Sequence, residues 1–184
     1  LENLAALYNT QGDYAKAEKY YLRALEIWRT VLGESHQDFA LSLENLANNY
    51  RAQGDYPKAE EYNIQALEIR RSVLGEMHPA FASSLNNLAV NYYDQGDYAK
   101  AEAHYMSALE IWRNVLGESH PNFASCLYNL AINYDAQSDY ARAEEYYLRA
   151  LDIRRSVLGE LHPDCASSLT GLAVNCTYQG DYTK

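Results

Sequence analysis

The sequence predicts an all-α fold, a solenoid of antiparallel helix hairpins, on three observations. The text repeats every 42 residues, so that Leu1 returns as Leu43, Leu85, Leu127 and Leu169. Each copy holds two stretches with apolar residues at helical spacing. Gly-Asp and Leu-Gly-Glu text recurs at the two places where those helices have to end. The copies run 1–42, 43–84, 85–126 and 127–168, with a partial copy over 169–184, and all belong to a single array spanning 1–184.

In the first helix of a copy, Leu43, Leu46, Ala47 and Tyr50 stand at i, i+3, i+4 and i+7 and form one stripe. Gly54, within Gln53–Tyr56, breaks this helix in a left-handed turn. The next residue, Asp13, Asp55, Asp97, Asp139 or Asp181, is placed to cap the second helix. Ser138 replaces the turn glycine in the fourth copy, a change costing about 1 kcal/mol where the site demands a positive φ.

The second helix tolerates Pro57 in its first turn and carries Ala59, Ala66, Leu67, Arg70, Val73 and Leu74 on one side. It is expected to stop at Gly75, with Pro79 soon after. Alanines at 47, 59 and 66 let helices approach closely. No hairpin buries its apolar face alone, so neighbours must do it, which is the logic of a solenoid. Ending inside a fifth copy is expected to leave an apolar face that associates end to end.

Composition narrows the function. With 184 residues, 48% hydrophobic and 22% charged, the chain is built to fold. A net charge of −10 speaks against nucleic acid, which demands clustered cations, and against anionic lipid. No apolar run reaches the roughly 20 residues of a membrane span, and no signal peptide is visible. The start at Leu1 suggests a piece of a longer protein. Cys126 stands where other copies have Ser42, Ser84 and Ser168; Cys165 replaces a phenylalanine (Phe39, Phe81, Phe123) and Cys176 a tyrosine (Tyr8, Tyr50, Tyr92, Tyr134). Such sparse thiols fit neither a disulfide framework nor zinc, and point to the reducing cytoplasm.

A search for chemistry finds none. His36, His78, His120 and His162 occupy one repeat position, where adjacent helix layers about 8–10 Å apart keep them from sharing an ion; a hydrogen-bonding role at the helix end is expected. His104, where other copies have Tyr20, Tyr62 and Tyr146, is read as a packing substitute. Glu18, Glu60, Glu102 and Glu144 recur by repetition on positions read as exposed, whereas catalysis needs unlike groups converging at one point. The expectation is no enzyme, no cofactor and no metal.

The pattern Leu-x-x-Leu-Ala-x-x-Tyr, then Gly-Asp-Tyr, then Ala with another Ala seven residues on, resembles the tetratricopeptide repeat. The usual period is about 34. Here a longer second helix and the Leu-Gly-Glu-x-His-Pro connector make it similar to the repeats of kinesin light chain and related bacterial proteins. The resemblance implies a right-handed superhelix whose concave surface, lined by the first helices, binds extended peptides of partner proteins.

On that surface the resemblance places an asparagine ladder, Asn3, Asn45, Asn87 and Asn129. A primary amide both donates and accepts, so one per layer reads a peptide backbone; the competing role is to tie neighbouring helices together. Around it lie Glu2, Glu44, Asn48, Arg51, Tyr93, Tyr128 and Asp135. Arg51 is the lone basic residue on these helices, which predicts a neutral or mildly basic extended segment as partner rather than acidic cargo. A second set, Asn49, Asn91, Asn133 and Asn175, is assigned to inter-helix packing, and Trp28, Arg70, Trp112 and Arg154 to a cation–π ladder between layers. A structural or self-assembling array, or a regulatory arm of a larger enzyme or NTPase, are the alternative functions.

Overall fold

A computed structural model describes residues 1–180; Asp181, the cap expected in the fifth copy, lies outside them. Among the described residues the regular structure is nine helices: α1 (Glu2–Thr10), α2 (Tyr14–Leu32), α3 (Gln37–Ala52), α4 (Tyr56–Leu74), α5 (Pro79–Asp94), α6 (Tyr98–Leu116), α7 (Pro121–Ala136), α8 (Tyr140–Leu158) and α9 (Pro163–Gln179). From the second copy onward, the first helix starts six residues before the repeat boundary drawn at Leu43, because the histidine–proline connector already belongs to it.

The chain forms two compact units, Leu1–Gln95 with α1 to α5, and a second from Gly96 with α6 to α9. Within the first, α1 packs on α2, α2 on α3, α3 on α4 and α4 on α5. Within the second, α6 packs on α7, α7 on α8 and α8 on α9. In both units the contact positions are alanines without exposed surface, among them Ala17, Ala47, Ala59 and Ala66 in the first and Ala101, Ala131, Ala143 and Ala150 in the second. Leucines and tyrosines such as Leu43, Leu46, Tyr105 and Leu130 fill the layers between.

Helix ends follow the punctuation. Asp13, Asp55, Asp97 and Asp139 each accept a hydrogen bond from the backbone amide three residues on. The four histidines are caps too. Nδ1 of His36, His78, His120 and His162 accepts from the amide of Asp38, Ala80, Asn122 and Asp164 at 3.1–3.2 Å. Second helices terminate at glycines such as Gly75, whose φ of 83° and ψ of 162° fall in a region open essentially to glycine alone. Ser138 does adopt the positive φ of its turn, 61°, and so carries the expected strain.

Candidate functional site

The polar side chains on the inner faces of the hairpins divide into those that hold the fold and those left over. The second asparagine set belongs to the first group. Asn49, Asn91, Asn133 and Asn175, all fully buried, donate through Nδ2 to the carbonyls of Tyr14, Tyr56, Tyr98 and Tyr140 at 3.0–3.3 Å. Each bond ties a first helix to the start of the preceding second helix. In α1 the equivalent residue is Leu7, which lies exposed.

A tyrosine–glutamate clasp runs beside it. Tyr50, Tyr92 and Tyr134 donate through their hydroxyls to Glu18, Glu60 and Glu102, each at 2.8 Å. Burial and the neighbouring carboxylate push the Tyr50 and Tyr134 phenols far above their usual range. These glutamates are half-buried, not exposed as the sequence reading had them. The signal was available, since both partners recur with the repeat at constant separation. At Cys176 the tyrosine is missing; Gln179 donates to Glu144 at 3.1 Å, as Gln95 does to Glu60 at 3.2 Å beside its tyrosine. Tyr50 and Tyr134 also stack on Tyr62 and Tyr146, under Lys58 and Arg142.

The expected arginine–tryptophan ladder is replaced by other contacts. In the first unit, Nη1 of Arg70 donates to the Ala80 carbonyl (2.7 Å) and Ser84 Oγ (3.0 Å), and Nη2 to Glu44 Oε2 (2.7 Å). Glu44 also accepts from Ser84 at 2.7 Å and from the Asn87 side chain. In the second unit, Arg154 lies over the ring of Tyr128, 4.8 Å from its centroid. A guanidinium prefers a carboxylate within reach to an indole face, and Glu44 is within reach.

The other polar residues of the first helices differ in how far they are engaged. Glu44 is buried and engaged, and burial holds its carboxyl above the usual range against the pull of Arg70. Glu2 accepts from Ser42. Arg51, half-buried, pairs with Asp94 at 2.7 Å, so the lone cation of the first helices is neutralised locally. Asp135 accepts from Tyr147 at 2.8 Å and Asn175 at 2.6 Å. Asn3 and Asn48 are exposed, and Asn45, Asn87, Tyr93 and Asn129 half-buried. Asn87 is drawn into a helix-to-helix contact through Glu44, and Asn129 is engaged as well. Among the described residues there is no cluster able to hold a metal ion and no helix long and apolar enough to cross a membrane.

Comparison with known proteins agrees with this architecture. A tetratricopeptide repeat family model matches residues 1–72, 80–156 and 136–184, and a second tetratricopeptide repeat model matches 44–115. No curated protein matches the sequence. Among solved structures, BtubC (BKLC) from P. vanneervenii is 31% identical over 97% of this chain and 71% of its own, with a TM-score of 0.82. A kinesin light chain-type protein of Podosopora anserina, with nearly identical TPR-like repeats, is 25% identical. That match covers 98% of this chain and 85% of the other, with a TM-score of 0.81. Its structural neighbours are thus kinesin light chain-like, and the chain belongs to the tetratricopeptide repeat family.

Proposed function

We propose that the chain is a protein-interaction array that binds an extended segment of a partner along its first helices. Asn3, Asn45, Asn48, Arg51, Asn87 and Tyr93 serve the first unit, and Asn129 the second. The observation that carries this reading is the contrast between the two asparagine sets. Asn91 and its equivalents are spent on the fold, whereas Asn45 makes no hydrogen bond among the described residues and Asn48 is exposed. The charges around them are already paired, as in Arg51–Asp94 and Glu44–Arg70. A surface that offers the Asn3, Asn45 and Asn48 amides amid cancelled charge suits backbone reading of a neutral or mildly basic segment. Two buried thiols, Cys126 and Cys165, suit the reducing cytoplasm.

The test compares partner recovery by the wild-type array and by a variant with Asn45, Asn87 and Asn129 changed to Ala. Recovery should fall about tenfold or more while circular dichroism shows the array still folded, and Asn45→Ala alone should lower it with the melting temperature little changed; equal recovery would remove the ladder from the binding site. Tight binding of acidic peptides with steep salt dependence would refute the charge preference. Self-association is the second reading, favoured by the exposed Leu1, Leu4 and Leu7 along α1. It requires a mass that rises with concentration in analytical ultracentrifugation and falls when Leu4 and Leu7 become Lys.

A further inference from the structure

Glu2 and Glu44 occupy the same repeat position and both lie in the first unit, so Glu44 serves as an internal template for Glu2. Glu44 accepts from Ser84 Oγ at 2.7 Å and from Nη2 of Arg70 at 2.7 Å. Glu2 keeps the hydroxyl and lacks the guanidinium. Ser42, equivalent to Ser84, donates to Glu2, but the residue equivalent to Arg70 is Trp28. Among the described residues no cation lies within ion-pair distance of Glu2, and none lies over the Trp28 ring.

The unmatched carboxylate borders a cavity. Between α1 and α2, a space of about 260 Å³ is lined by Leu1, Glu2, Asn3, Ala24, Ile27 and Trp28. Sites that take whole small molecules run to about 300–1,000 Å³, so this one suits a single side chain. Glu2 is the one charged side chain in its wall, and Ala24, Ile27 and Trp28 make the rest of it apolar. Glu2 and Trp28 are both half-buried, which weakens the screening of the carboxylate by water. Its field is felt nearby: burial, and after it the Glu2 charge, push the Tyr21 phenol above its ordinary value. A guanidinium answers both walls, because its N–H fork matches a carboxylate and its flat face stacks on an indole.

We infer that Glu2 and Trp28 form a subsite for one arginine side chain of the bound segment, ion-paired to Glu2 and stacked on Trp28. The incoming guanidinium takes the part that Arg70 plays for Glu44. This rests on the interaction reading above and deepens it, by placing the charge of a mildly basic segment at one end of the asparagine ladder. Asn3, the first rung, lines the same cavity, so backbone and side chain are read at neighbouring points. The net charge of −10 favours the approach of such a segment.

The probe is a set of N-acetylated octapeptide amides, uncharged except for one arginine at a scanned position. Each is paired with its citrulline counterpart, which keeps the shape and loses the charge. The wild type should bind a subset of arginine peptides about tenfold or more tighter than their citrulline twins. Those peptides should also shift the Trp28 indole N–H resonance, and their citrulline twins should not. Trp28→Arg supplies the cation internally, as Arg70 does for Glu44, and should abolish the preference while holding or raising the melting temperature. Glu2→Gln, which keeps an acceptor for Ser42, should abolish it as well. Equal binding of arginine and citrulline peptides by the wild type, or a preference surviving both substitutions, overturns the subsite and leaves the interaction reading standing. If the wild type binds no peptide of either kind, the interaction reading falls and takes the subsite with it.

Discussion

Single residues in this chain are informative because each has internal controls at the same repeat position. Gly54 and Ser138 occupy equivalent turns with φ of 79° and 61°. The left-handed region costs a residue with a Cβ about 1–2 kcal/mol, and nothing lies within 4 Å of a Cβ placed on Gly54, so strain acts there without steric clash. Ser138→Gly should therefore raise stability by about 1 kcal/mol in urea titration, and Gly54→Ala should lower it by a similar amount. The asparagines offer a sharper contrast. Asn91→Ala removes a buried donor from the Tyr56 carbonyl and opens a void, and should cost about 1–3 kcal/mol. Asn45→Ala, changing a half-buried side chain without a hydrogen bond, should stay within about 0.5 kcal/mol. A large loss at Asn45 would mean that its amide supports the fold and not a ligand.

Helix-level behaviour is governed by caps and by the pairs joining neighbouring helices. Asp97 caps α6 through the Lys100 amide at 3.2 Å and faces the Lys100 ammonium at 2.9 Å, and these hydrogen bonds hold its carboxyl below the ordinary 3.8. A lowered folded value means that the cap's contribution is complete above the unfolded value and is lost as pH falls through the folded one. Acid unfolding followed by circular dichroism should show Asp97→Asn, which keeps a capping oxygen, with a flatter stability profile below about pH 4 than the wild type. Much of this was legible in the sequence. Aspartate after glycine and histidine before proline announced helix starts, and the second asparagine set announced inter-helix bonds, because a repeated polar residue on an apolar stripe needs a repeated partner. What escaped was pairing between positions that are not both invariant. Arg70 was assigned to a tryptophan stack because only its own stripe was considered, whereas its partner Glu44 lies on another helix and is Asn86 or Tyr128 elsewhere. Glu18, Glu60 and Glu102 were misplaced for a different reason: their tyrosine partners do recur at constant separation, but half-burial at a helix contact does not follow from one helix's periodicity.

At the scale of the molecule, a stack of hairpins distributes stability according to how many sides of each helix are covered. Helix α3 lies between α2 and α4 and buries residues along its whole length, from Phe39 and Ala40 through Leu43 and Leu46 to Tyr50. Helix α1 contacts α2 and buries Ala5 alone, with Leu1, Leu4 and Leu7 open to solvent. Helix α9 is intermediate, with Cys165, Ser168 and Asn175 buried and Leu169, Val174 and Tyr178 exposed. Apolar burial contributes about 25 cal/mol per Å² and falls away wherever a helix has one neighbour instead of two. Backbone hydrogen bonds in α1 should therefore open without global unfolding, while those of α3 open only with their unit. Hydrogen–deuterium exchange should give lowest protection in α1, then α9, with α3 and α7 protected to the global limit. Protection of α1 equal to that of α3 in the wild type would show that its leucine face is covered in solution. Self-association would then displace the open groove as the leading account of the array.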